Sequence, residues 1–279
     1  MLAEQGTNCI RCAPQFWLSF TLRTFNGVFM RLVLGAMLLI SLDGMAADAP
    51  LRFVVPDSWA MPMMQFEQDR PTQGILHDLM LSLATQVGLP AEFHVLPRGR
   101  IQTAMEHGEV DVRCYVVQTW LTDQPGDYSW SIPLFTQPDL LVSRQASTAP
   151  INPADLSAQP IGTVLRYSYP TLQPLFDAKR LERDDARNQQ LVLDKLLAGR
   201  NRYAVSNQWS LDWFNQRLLP QQQLKAVAEL QELKLGCYVR NDPKLPVQRI
   251  LGTLMRMKKT GEIDDIIRLY IGGEPKTAP

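Results

Sequence analysis

The sequence predicts an α/β protein of two lobes, each a mainly parallel sheet flanked by helices, with two strand-like segments crossing between the lobes. Three observations carry this. Strand-like and helix-like runs alternate from residue 51 to 117. The alternation then breaks over a turn-rich and Pro/Ala/Ser-rich stretch up to residue 160. It resumes from residue 161 to 239 and ends in a helical tail. With 279 residues, 46% of them hydrophobic and 20% charged, the chain is long enough for two modest cores.

Leu51–Val55 is a short apolar run stopped by Pro56, the pattern of a buried strand. In the next segment Ile75, Leu76, Leu79, Met80, Leu83 and Val87 fall at helical spacing, and Gly88 and Pro90 stop the helix. Glu92–Leu96 alternates as a strand, and Arg100–His107 is a short helix ended by Gly108. Val110–Val117 is a third strand. After the turn-rich Thr119–Asp127, Leu134–Arg144 holds the first crossing. The second series is strand 161–164, helix 168–178, strand 181–184, helix 188–197, strand 203–206 and helix 209–217. Lys234–Val239 is the returning strand, and residues 246–259 and 262–270 are helical. The reading places lobe one at 48–142 and 236–279 and lobe two at 143–235.

The first 47 residues stand apart. Leu32–Leu42 is an eleven-residue apolar run that follows Arg31 and precedes Gly44-Met45-Ala46-Ala47. A basic start, a short apolar core and small residues make a secretory signal peptide, and the run is shorter than the roughly 20 residues needed to span a bilayer. Cleavage near Ala47 leaves a chain that starts near Asp48, in the periplasm. Met30 directly precedes Arg31, so the start is either Met1 or Met30, and in the second case residues 1–29 are an extension. Cys9-Ile10-Arg11-Cys12 in that extension has no second Cys or His pair to make a metal or redox site.

Composition narrows the function. Twenty-eight basic residues against twenty-eight acidic ones argue against a non-specific nucleic-acid binder. His77, His94 and His107 show no metal-ligand spacing. No nucleophile elbow, paired carboxylates or Gly-rich nucleotide loop is present. No cofactor is expected.

From residue 51 to 272 the chain resembles the bacterial periplasmic solute-binding proteins of the polar amino-acid class, family 3. The motifs fall in that family's order. Gly74-Ile75-Leu76-His77-Asp78-Leu79 is similar to its first helix start, and Pro97-Arg98-Gly99-Arg100 through Gly108-Glu109-Val110-Asp111 to its next helix and stop. Tyr128-Ser129-Trp130-Ser131-Ile132-Pro133 is similar to its aromatic-Ser-x-Pro turn. Ile161-Gly162 with Tyr167-Ser168-Tyr169 resembles the start of its second lobe, Leu196–Arg200 its Leu-x-x-Gly-Arg stop, and Gly261–Tyr270 its closing helix. The resemblance implies a type II periplasmic-binding-protein-like fold. Its two lobes close over a small molecule, with hinges near residues 138–144 and 234–239.

The departures concern the ligand. Where the family carries an Arg for an α-carboxylate this chain has Gln124, and where it carries an Asp for an α-ammonium the segment reads Ala204–Gln208. Arg166 stands where Gly is frequent. A standard L-amino acid is therefore not the expected ligand. The resemblance also places the returning strand beside the third strand of lobe one. Cys114 and Cys237 then meet as a disulfide if both face the same side, or stay buried free thiols if they do not.

Ligands of open α/β sheets bind outside the carboxyl ends of the strands. That rule selects Trp59, with Asp57 and Ser58, after the first strand, then Arg98 and Arg100, then Thr119 and Trp120. In lobe two it selects Arg166, Tyr167, Ser168, Tyr169, Asn207 and Gln208. The ligand-binding set is Trp59, Arg100, Thr119, Trp120, Arg166, Tyr167, Ser168 and Asn207. For each a structural role competes: packing for the Trp residues, a surface position for Arg100, helix capping for Ser168 and a turn for Asn207. Trp209 and Trp213, spaced i, i+4, read as core, and Met63 and Met64 as core or as an adaptable wall.

Binding is the first functional reading, for ABC-type uptake or sensing. The partners are then a small molecule and, for uptake, an inner-membrane ABC permease; a monomer is expected. An enzyme on the same fold, dehydratase-like, is the alternative, but the carboxylates near the mouth (Asp57, Glu67, Asp69, Asp123) lie in loops and no His lies at a strand end. A degenerate copy used for protein contact is the third reading.

Overall fold

The computed structural model describes residues 49–121, 126–147 and 149–272. The expected signal peptide, Met30, the Cys9–Cys12 motif, Gln124 and Asp123 lie outside the described residues.

The strands are β1 (Leu51–Pro56), β2 (Gln65–Glu67), β3 (Arg70–Gln73), β4 (Ala91–Leu96), β5 (Val112–Val116), β6 (Tyr128–Trp130), β7 (Phe135–Ser143), β8 (Gln159–Val164), β9 (Leu181–Ala186), β10 (Tyr203–Asn207) and β11 (Lys225–Arg240). The helices are α1 (Ile75–Val87), α2 (Arg98–Glu106), α3 (Gln173–Asp177), α4 (Gln189–Leu197), α5 (Gln208–Gln216), α6 (Val247–Lys259) and α7 (Glu262–Ile271). One mixed sheet runs β4-β1-β5-β11-β7-β10-β8-β9, with β6 also paired to β11. β1 is parallel to β4 and β5, and β8 is parallel to β9 and β10. β7 and β11 pair antiparallel over residues 135–143 and 225–235 and so carry the chain between the two halves. The result is a two-lobed α/β fold.

Apolar periodicity explains α1. Ile75, Leu76, Leu79, Met80, Leu83 and Val87 are all buried, and the helix ends on Gly88 at φ 83. The core they enter also holds Phe53, Val55, Cys114, Leu235 and Ile250, with Met63 and Met64 among its buried residues. Lobe two has two smaller cores, one around Val164, Leu193, Leu196 and Phe214, the other around Leu141, Ile161 and Leu181.

Four elements differ from the sequence expectation. The helix expected over 168–178 is shortened to α3, because Pro170 disfavours helical backbone before it and Tyr169 turns inward, its hydroxyl accepting the Val164 N–H at 2.9 Å. The returning strand is 16 residues long, not six. Its early part alternates with exposed polar residues and hides a strand paired on one side. The β2–β3 hairpin turns through Gln68 and Asp69, both at positive φ, without the Gly that would mark it. The three-residue β6 beside β11 is short enough to read as turn.

Cys114 and Cys237 are opposite each other in the β5–β11 pair and joined by a disulfide. The pairing slips by one residue next to them: Gly236 faces Val116 and Cys237 faces Cys114, which leaves Tyr115 as the extra residue of a bulge, at φ 59.

Candidate functional site

The cleft forms where the carboxyl ends of β1, β4 and β5 face those of β8 and β10. The loop after β8 is rigidly held. Arg183, from β9, donates to the carbonyls of Val164 and Tyr167, each at 2.9 Å, and pairs with Asp185 at 2.8 Å. These bonds fix Tyr167 and Ser168 at the cleft while Tyr169 is buried beneath them.

Two cavities adjoin at Arg98. The inner one, about 40 Å³, is walled by Tyr115, Trp120, Tyr167 and Ser168, with Asp139 and Asn207 also on its lining. The outer one, about 510 Å³, is lined by Asp57, Ser58 and Asp69 from lobe one and by Arg166, Arg187 and Asn188 from lobe two, besides Arg98. Side chains of the two lobes touch here. The Arg98 guanidinium lies 4.4 Å from the centre of the Tyr167 ring and 5.8 Å from that of Trp120. The hydroxyls of Ser58 and Tyr167 are 3.4 Å apart.

The bulge at Tyr115 brings its ring against Trp59 at 6.4 Å and Trp209 at 5.7 Å. Burial pushes the Tyr115 phenol well up, so it stays a neutral donor. Burial also raises the Asp139 carboxyl above the usual range, and the Gln231 amide, donating at 2.8 Å, opposes that rise. Burial lowers Arg98 from the ordinary guanidinium value.

Arg98, Asp57, Ser58 and Tyr169, all selected by the strand-end rule, line these cavities, and so do five of the ligand-binding set: Trp120, Tyr167, Ser168 and Asn207 the inner one and Arg166 the outer one. Three are placed differently. Trp59 is 7% exposed and packs behind Tyr115 in the lobe-one core. Arg100 is exposed on α2 and lines neither cavity, because two residues along a helix turn it about 200° away from Arg98. Thr119 is exposed on the 3₁₀ turn 118–121, and neither lining includes it. Asn207 also accepts the Ser210 N–H at 2.9 Å as the cap of α5. Trp209 joins the lobe-one core through Phe135, at 5.4 Å, and Trp213 meets Tyr270 at 6.4 Å.

Residues that the strand-end rule missed include Tyr115, Asp139 and Arg187. The first two lie within strands, and Arg187 follows the edge strand β9. A further cavity of about 680 Å³ lies at the opposite, amino-terminal ends of β1 and β4, around Arg52, Asp111 and Arg240. There Arg52 and Arg240 both pair with Asp111, and Arg240 also pairs with Asp242. Among the described residues no group of His, Cys, Asp and Glu could hold a metal ion, and no helix is long and apolar enough to cross a membrane.

No protein-family model matches the chain, and no curated protein matches it. Solved structures do. An ancestral arginine-binding protein bound to arginine aligns with a TM-score of 0.65 at 20% identity, over 81% of this chain and 100% of that one. A histidine kinase sensor domain with similarity to periplasmic binding proteins gives 0.65 at 19%, over 81% and 97%. The arginine-, lysine-, histidine-binding protein ArtJ from the thermophilic bacterium Geobacillus stearothermophilus gives 0.61 at 14%, over 82% and 97%. These likenesses show the fold: two lobes of the periplasmic-binding-protein type.

Proposed function

We propose that this chain is an exported solute-binding protein, akin to the polar amino-acid class, that closes its lobes over a small polar or aromatic molecule. The observation that carries the reading is the stack of Arg98 from lobe one on Tyr167 from lobe two, with cavities on both sides of it. Aromatic faces and polar tips from both lobes suit a small molecule buried on closure. In this reading the lobes divide as 48–142 with 236–279, and 143–235. Residues 1–47 direct export and are removed, and the binding event serves ABC-type uptake or sensing rather than catalysis. The solved structures of similar fold include both solute-binding proteins and a kinase sensor domain, which supports keeping uptake and sensing together.

Native mass spectrometry of the protein released from the periplasm tests this. The expected spectrum shows a chain starting within a few residues of Asp48 that retains one small molecule. An intact leader, or an empty chain under gentle conditions, contradicts the reading.

The ligand is expected not to be a standard L-amino acid. The β10 segment offers Ser206 and Asn207 rather than a carboxylate, and the Asn207 side chain already caps α5. Asp139 is the carboxyl on the lining of the inner cavity, and one of its oxygens already accepts from the Gln231 amide at 2.8 Å. A lost charge-assisted hydrogen bond costs roughly 1.5–3 kcal/mol, about ten- to a hundredfold in affinity. Calorimetry with the twenty amino acids should find none that binds at micromolar concentration, and one that does refutes this restriction.

A further inference from the structure

Three arginines converge on the outer cavity: Arg98 and, from lobe two, Arg166 and Arg187. None of them forms an ion pair among the described residues. Asp57 and Asp69 also line the cavity, and they too are without an ion pair there, so the lining keeps an excess of one positive charge. Two of the arginines sit in constrained surroundings. Arg166 adopts φ 63, a left-handed conformation that a long side chain rarely takes without a reason. Its guanidinium reaches across to Gly99 on the lobe-one helix α2, so the two lobes meet there as well. Arg98 is spread between the Trp120 and Tyr167 rings, which hold a guanidinium without neutralising it.

We infer that the cleft takes an organic anion, whose carboxylate or phosphate group is bound by Arg166 and Arg187 at the mouth and Arg98 within. Guanidinium forks match the planar oxygens of a carboxylate and those of a phosphate, and each good pair is a charge-assisted bond. A cationic ligand would enter the outer cavity against the net charge of its lining, Asp139 being confined to the inner one. This inference rests on the solute-binding reading and adds the charge class of the solute.

The test is calorimetry in low-salt buffer on protein stripped of ligand by unfolding and refolding. The anionic probes are citrate, benzoate and inorganic phosphate, and the cationic ones are agmatine and choline. The expected result is that at least one anion binds, with affinity falling as salt rises, and that neither cation does. Arg166→Ala and Arg187→Ala, both at exposed positions, should each weaken the anion about tenfold while leaving the thermal midpoint of the free protein unchanged. Citrate against phosphate separates a carboxylate from a phosphate preference. Binding of no anion, tighter binding of agmatine, or arginine variants that bind as well as the parent overturns the inference. A retained molecule in the native mass spectrum that lacks an anionic group overturns the charge class alone and leaves the solute-binding reading standing. An empty spectrum together with no binding removes both.

Discussion

Reduction of the Cys114–Cys237 bond is expected to lower the stability of the chain by about 2–5 kcal/mol. The two cysteines are 123 residues apart in sequence, and the loop between them contains β6 to β10 and all the helices of lobe two. In the chain-entropy model a cross-link removes conformations from the unfolded chain, and the effect grows with the logarithm of the loop length. The bond joins β5 to β11, at the centre of the sheet that the first crossing and the return strand share. For a chain of this size the loss corresponds to roughly 4–20 °C in thermal midpoint. Thermal unfolding with and without reductant measures it, and thiol titration of unfolded, unreduced protein should find neither cysteine free. A midpoint indifferent to reductant contradicts the expectation. The reduced parent is a cleaner comparison than a double serine variant. Both cysteines are at most 1% exposed, and serine would add two hydroxyls to that core.

Asp111→Ala is expected to cost about 3–5 kcal/mol, nearer the lower value. The Asp111 side chain is 1% exposed and accepts from Arg52 Nε at 2.9 Å, Arg52 Nη2 at 2.6 Å, the Arg52 backbone N–H at 3.1 Å and Arg240 Nη2 at 3.0 Å. Removing it leaves two guanidiniums facing each other with no carboxylate between them. Arg52 and Arg240 are 30% and 17% exposed, so water can reach them in part, which is why the lower end is expected. Asp111→Asn keeps the shape and the acceptor oxygen, and should fall between parent and alanine. Urea unfolding reads the difference as a shift in midpoint at constant slope. A cost for alanine below about 1 kcal/mol would show that the buried carboxylate is no more than a surface pair. The cluster lies at the far ends of β1 and β4, so affinity at the cleft should change much less than stability.

The parts of the fold that were legible in the sequence are those where burial has one period. In α1 the apolar stripe and its Gly88 stop name the buried face residue by residue, and β1 and β8 show as short apolar runs. Where local bonds override periodicity the reading fails. Tyr169 leaves the helical pattern to serve the Val164 N–H, and β11 continues well beyond its apolar end because β7 pairs along it. The site follows the same division. The strand-end rule finds Trp120, Arg166, Tyr167, Ser168 and Asn207, since it asks only where a strand stops. It selects Arg98 and Arg100 together, but with the helix expected to start at Arg100 rather than Arg98 it does not show which of the two faces the cleft. It misses Tyr115 because a bulge, not a strand end, turns that residue into the cleft. Asp139 is missed for a related reason: it lies in the crossing strand, opposite the irregular register of Glu229 and Gln231.

Hydrogen–deuterium exchange on the protein with and without its co-purified molecule tests the central claim, that the ligand lies between the lobes. The account predicts slower exchange on both sides of the cleft together, at residues 115–120 and 97–101 of lobe one and at 165–169 and 187–189 of lobe two. Protection confined to one lobe, or centred on the Arg52–Asp111–Arg240 cavity at the opposite ends of the strands, would contradict it.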